Sequence, residues 1–160
     1  MKELSKIRKI DFLGDYLPRK CGIATFTSDL LMSVASAHHF RAIGTNGFYQ
    51  RGGVSADFGQ QPIEARAMAS ACLEAYRTTS DVWWYEQTQC AFDWFLGWND
   101  LGLELYFPKT GGCRDGLHVV RVNRNQGAES TQAFLLSLAE MRLAQNMRTS
   151  FKEPIAVAEE

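Results

Sequence analysis

The 160-residue chain has room for one ordinary domain with a sizeable core, so a second complete domain is not expected. Lys and Arg number 17 against 18 Asp and Glu, which gives no electrostatic field able to hold a polyanion, so nucleic acid is not an expected partner. The apolar runs are too short for a membrane span, and we expect a soluble, cytoplasmic protein.

The four cysteines do not suggest a metal or redox site. None forms a Cys-x-x-Cys pair, so neither a zinc site nor a thioredoxin-type motif is indicated. In a reducing compartment we expect free thiols that behave as small buried hydrophobic groups. No metal and no other cofactor is predicted.

The amino-terminal region, residues 1–40, predicts a short βα unit. Residues 7–16 contain a buried-strand pattern closed by a turn. A helix follows, capped by Thr25, Thr27 or Ser28, with Phe26 and Leu30 at helical spacing that continues to about Ala37. The N–H groups at such a helix start favour an anionic or hydroxyl-rich ligand, although a plain βα turn explains the same pattern.

Residues 41–148 predict a helical domain. After a connection rich in Gly and Asn at residues 43–59, Pro62 opens a helix over residues 62–77. A polar turn at residues 78–81 leads to a second helix that reaches Phe95, so the two form a helical hairpin.

The rest of this domain reads as a loop followed by one more helix. Residues 97–126 mix Gly, Asn, Asp and Pro and predict a loop throughout, and residues 127–147 predict the last helix. The tail, residues 149–160, has little to bury and is expected to fray. The expected fold class is therefore mainly α.

Residues 12–31, especially PRKCGIATFT at 18–27, resemble the opening strand and loop of retaining glycosyltransferases with the two-domain GT-B fold. The resemblance implies an acceptor-side loop over the sugar-transfer cleft, with Gly22 as a substrate-binding position and Arg19 and Lys20 beside it. In that fold a second Rossmann-like half holds most of the sugar-nucleotide. Nothing after Phe40 resembles that half.

Most of the remaining chain resembles the carboxyl-terminal helical region of some of those same glycosyltransferases. The segments are GTNGFY at 44–49, QQPIEA at 60–65, WFLGWND at 94–100, GGCRDGLH at 111–118 and NRNQGAEST at 123–131. The resemblance implies the last hairpins of an α/α toroid, joined to the βα unit near residues 34–41. We interpret the chain as an internally shortened relative, either a natural product or a deletion fusion of a longer gene.

Polar residues at two helix starts predict a carbohydrate site. Gln60, Gln61 and Glu64 stand at the start of the first predicted helix of the domain. At the start of the last helix stand Asn123, Asn125, Gln126 and Glu129. Carboxamides and carboxylates both orient sugar hydroxyls through paired hydrogen bonds. For Asn125 and Glu129, a helix cap and a first-turn acid are an equally good interpretation.

Asp115 and His118 lie three residues apart in a Gly-flanked loop, which suits a hydrogen-bonded acid/base pair. A turn residue with a surface histidine is the alternative. The tryptophans, Trp83, Trp84, Trp94 and Trp98, are expected first as core residues and second as sugar platforms.

The function that follows by resemblance is sugar transfer from a nucleotide donor to a hydroxyl acceptor, and the missing donor half predicts that this chain does not perform it alone. The alternatives are a non-catalytic carbohydrate-binding or scaffold remnant and a glycosidase built on Glu64 and Glu129. The expected ligand is a sugar or sugar-nucleotide. Because a few toroid hairpins leave apolar faces uncovered, we also expect self-association.

Overall fold

The computed structural model describes residues 39–45, 54 and 56–150. The predicted strand at residues 7–16, the helix predicted after it and the candidate Gly22 lie outside these residues. So do residues 151–160, most of the segment expected to fray.

The first helix, α1, spans Pro62–Thr79. Pro62 stands in its first turn, where a missing N–H costs nothing, and the residues that follow at steps of three and four are buried. The helix ends at Ser80, which adopts a left-handed conformation (φ 56°) and donates its N–H to the Tyr76 carbonyl. The prediction of a helix over 62–77 is confirmed, with the end two residues later.

The second helix, α2, spans Val82–Asp93, and a single 3₁₀ turn, Trp94–Leu96, continues it. The Asp81 carboxylate accepts a hydrogen bond from the Trp83 N–H at 3.0 Å and so caps the helix. Gly97, with φ 103°, ends the 3₁₀ turn. The last helix, α3, spans Ala128–Ser150.

Two small antiparallel hairpins lie between α2 and α3. Strand β1 (Tyr106–Phe107) pairs with β2 (Gly112–Cys113), and β3 (Gly116–Leu117) pairs with β4 (Val122–Asn123). The prediction that residues 97–126 are loop throughout is therefore wrong at these strands. Each strand has two residues, too few to produce the alternating pattern by which strands are recognised.

The core lies where α1 packs against α2 and α3. Trp94 and Phe95 are fully buried there, and the Tyr106 and Phe134 rings stack with centroids 4.4 Å apart. Phe40 belongs to the same core, so the chain already packs on the helices at this residue. More than half of the described residues are helical, which confirms a mainly helical fold for this part of the chain.

Within the described residues, no helix combines the length and apolar character needed to cross a bilayer. Exposed apolar side chains are present on α3, where Leu135, Leu136 and Leu143 are each more than two-fifths exposed. Their positions along the helix place these leucines outside the core formed by Phe134 and Met141.

Candidate functional site

Strand β3, the first strand of the second hairpin, also pairs with Gln60, just before α1. Leu117 donates its N–H to the Gln60 carbonyl at 2.9 Å, and the Leu117 carbonyl accepts from the Gln60 N–H at 3.2 Å. Gly116 adopts φ 149°, and a Cβ at this position would lie 2.3 Å from the Gln60 carbonyl oxygen. The close approach of the two backbones therefore requires glycine.

Asp115, the residue before β3, forms hydrogen bonds with residues just before α3. Asp115 donates its N–H to the Asn125 carbonyl at 3.0 Å, and its carboxylate accepts from the Gly127 N–H at 2.7 Å. The Gly127 carbonyl accepts the first helical hydrogen bond of α3, from Thr131. Asp115 thus places a negative charge at the positive end of the helix dipole.

Because Asp115 and Gly116 are consecutive, the starts of α1 and α3 lie beside each other. We call the residues at this junction the helix-mouth cluster: Gln61, Asp115, Gly116, Asn125, Gly127 and Glu129. The side chains of Gln61, Asn125 and Glu129 are exposed. The structure therefore places three of the predicted residues, Gln61, Asn125 and Glu129, at one junction between two helix starts.

The other candidate residues have different surroundings. Glu64 lies in the first turn of α1 and is half-buried. His118 lies at the end of β3 and donates its N–H to the Arg121 carbonyl at 2.9 Å. No hydrogen bond joins the described side chains of Asp115 and His118, because the Asp115 carboxylate is directed to Gly127.

Gln60 has an internal role that the sequence did not indicate. Its side chain is 1% exposed, and its Nε2 donates to the Asp57 carbonyl at 2.9 Å and to the Asp100 carboxylate at 2.5 Å. Its Oε1 accepts from the Trp94 indole N–H at 2.9 Å. This carboxamide is therefore used within the fold, and its expected contribution to a sugar site is wrong.

The Asp100 carboxylate is hydrogen-bonded to three side chains. Its carboxylate lies 2.8 Å from His39 Nε2 and accepts from Arg41 Nε at 3.1 Å, in addition to the bond from Gln60. Partial burial by itself raises the pKa of Asp100, but the hydrogen bonds from His39 and Gln60 and the charge of Arg41 outweigh it and lower the pKa below its usual value. Asp100 is therefore ionised at neutral pH.

A groove of about 350 Å³ lies beside this carboxylate, and we call it the Trp98 groove. Seven residues line it: His39, Leu96, Gly97, Trp98, Asn99, Gly102 and Glu104. Trp98 is 69% exposed, whereas Trp94 is fully buried. The expectation of tryptophans as core residues is thus right for Trp94 and wrong for Trp98.

Among the described residues, no group of His, Cys, Asp and Glu is arranged to hold a metal ion. Cys72 and Cys113 are buried, and burial raises the pKa of each thiol to about 12. These two thiols are protonated at neutral pH and pack as apolar groups.

Comparison with known proteins adds no assignment. No protein-family model matches the chain. No curated protein matches it either.

Proposed function

We propose that the described helical unit binds carbohydrate through the helix-mouth cluster, as the accessory region of a protein related to retaining GT-B glycosyltransferases. The observation that supports the proposal is the junction at Asp115 and Gly116, where the starts of α1 and α3, each of which carries exposed polar side chains, lie beside each other.

The chemistry of the cluster suits hydroxyl groups. Gln61 and Asn125 each offer an N–H donor and a carbonyl acceptor, and Glu129 offers an ionised acceptor. A sugar hydroxyl donates one hydrogen bond and accepts others, so adjacent carboxamides and carboxylates satisfy it in both directions. The backbone hydrogen bonds around Gly116 hold the two helix starts in one relation before the ligand arrives, which would lower the ordering cost of binding.

The same proposal extends to the architecture and the reaction. In this proposal, α1, α2 and α3 are hairpin helices of a partial α/α toroid, whose inner helix ends face the ligand. Sugar transfer from a nucleotide donor would involve Gly22 and its neighbours in residues 18–27, together with a donor-binding half. Without such a half, the helical unit would bind sugar without transferring it.

Isothermal titration of the full chain tests the proposal against two ligand sets, free neutral oligosaccharides and sugar-nucleotides. The variant combines Asn125→Ala with Glu129→Gln, and the control is Glu86→Gln, which makes the same charge change at an exposed position on α2. We expect the double variant to weaken oligosaccharide binding by about tenfold or more, since each lost hydrogen bond contributes about 0.5–1.5 kcal/mol, or more when charged.

The control variant should bind as the wild type does. Equal affinity of the double variant and the wild type would overturn the assignment of the site. Absence of binding to every ligand in both sets would overturn the proposed function itself.

A further inference from the structure

Trp98 is held away from the core by a fixed loop, residues 97–104. Asn99, which is 8% exposed, donates from its side chain to the Trp94 and Leu103 carbonyls at 2.8 and 2.9 Å. Its Oδ1 accepts from the N–H groups of Leu101 and Leu103 at 3.2 and 3.3 Å. The loop is therefore ordered by one buried carboxamide.

Both ends of this loop are hydrogen-bonded to the backbone of residues 93–95, where α2 passes into the 3₁₀ turn. The backbone N–H of Trp98 donates to the Asp93 carbonyl at 3.0 Å, and the backbone N–H of Leu105 donates to the Phe95 carbonyl at 2.9 Å. The backbone of Trp98 is therefore held in place, while the residue is 69% exposed, so its indole gains little from burial in the free protein. Tryptophan is among the residue types that are enriched at binding hot spots.

The walls of the Trp98 groove combine an apolar face with a charged acceptor. Trp98 and Leu96, which is 41% exposed, supply the apolar side, and Glu104 supplies an exposed carboxylate. Within residues 39–45, 54 and 56–150, Glu104 forms no ion pair. The groove volume of about 350 Å³ lies at the lower end of the range for small-ligand pockets, roughly 300–1,000 Å³.

We infer that the Trp98 groove binds a pyranose ring of a neutral oligosaccharide. The ring presents an apolar face of C–H groups that can pack on the indole, and its peripheral hydroxyls can donate to the Glu104 carboxylate. The charge of the nearby Asp100 carboxylate is already paired with Arg41, so this side of the groove adds little attraction for a cationic ligand. The choice of a sugar as the ligand rests on the proposed function, but the site uses different residues.

The groove and the helix-mouth cluster belong to one framework. The Gln60 side chain binds Asp100 next to the groove, while the Gln60 backbone pairs with Leu117 next to the cluster. A ligand with several sugar units therefore has two separate polar and apolar surfaces that are held in a fixed relation. Each surface is tested by its own variants.

The test is titration of the full chain with neutral hexasaccharides of glucose, mannose and galactose. Trp98→Ala should weaken binding by about tenfold or more, as expected for truncation of a hot-spot residue. Trp98→Tyr, which keeps a flat ring, should restore most of the affinity. Trp83→Ala is the matched control, because Trp83 is 39% exposed on α2 and does not line the groove.

The outcomes separate the two sites. Loss of affinity in Trp98→Ala and Glu104→Gln with no effect of Glu129→Gln would support the groove and overturn the helix-mouth cluster. Wild-type affinity of Trp98→Ala together with weaker binding by Glu129→Gln would overturn the groove and leave the proposed function standing. A third outcome is that the chain binds tetramethylammonium but no hexasaccharide, and that Trp98→Ala abolishes this binding. That result would overturn the sugar assignment, since cations also bind indole faces.

Discussion

Replacement of Gly116 by alanine tests the junction on which the candidate site depends. The added Cβ would lie 2.3 Å from the Gln60 carbonyl oxygen, and φ 149° is a conformation that alanine rarely adopts. Because the close atom belongs to the backbone, a side-chain rotation does not relieve the clash. We expect β3 to move away from the start of α1.

The expected loss of folding stability can be estimated from the backbone conformation at residue 116 and from the hydrogen bonds that the substitution weakens. The unfavourable φ contributes about 1–3 kcal/mol. Separation also weakens three backbone hydrogen bonds, from Leu117 to Gln60, from Gln60 to Leu117 and from Gly59 to Leu117, with lengths of 2.9, 3.2 and 3.0 Å. At about 0.5–1.5 kcal/mol each, the three bonds and the unfavourable φ together give a loss of roughly 2.5–7.5 kcal/mol, a large fraction of a domain stability of about 5–15 kcal/mol.

Urea and thermal unfolding of the full chain measure this loss, and Gly111→Ala is the control. Gly111 also has a positive φ, 72°, but among the described residues nothing lies within 4 Å of an added Cβ. The control should therefore lose only the left-handed backbone term, about 1–2 kcal/mol. If Gly116→Ala and Gly111→Ala destabilise the chain equally, the close approach of β3 to α1 is refuted. Oligosaccharide affinity should fall in Gly116→Ala alone.

Two further predictions concern charge and surface. Asp100→Asn should lower the melting temperature at pH 7, and the difference from wild type should shrink as pH falls below about 4. The reason is that the pKa of Asp100 is lower in the native state than in the unfolded state. The stability that this difference provides is present above the unfolded-state pKa and is lost as the native carboxylate is protonated. Melts from neutral to acidic pH check this, and a difference that does not change with pH would contradict it. The exposed leucines of α3 should promote self-association, so sedimentation velocity should show a coefficient that rises with concentration for wild type and not for Leu135→Gln/Leu143→Gln. A wild-type coefficient independent of concentration would contradict the expectation.

The helices could be predicted because their signals are local. Pro62 marks the start of α1, and Ala65, Met68, Ala69 and Cys72 keep the spacing of one buried face. Asp81 precedes α2 and makes the capping bond expected of its residue type. These features need no knowledge of the rest of the fold.

The polar interior could not be predicted in the same way. Gln60 stands at a helix start, where an exposed ligand contact is a reasonable expectation, yet its partners Trp94 and Asp100 are 34 and 40 residues away. Asn99 reads as a loop residue, and only the folded loop shows that it is buried with four hydrogen bonds. For Asp115, residue type and sequence position identified a candidate, but its partner Gly127 follows only from the path of the second hairpin.

The position of Gln60 has a consequence for the order in which the chain acquires its binding surfaces. The α1–α2 hairpin is closed by a short turn, whereas Gln60 completes its contacts only when Asp100 and Leu117 have come to the start of α1. Closing a long segment of chain costs more conformational entropy than closing a short one, so such contacts form more slowly than local ones. Helical structure should therefore form early, and competence to hold a ligand should appear last.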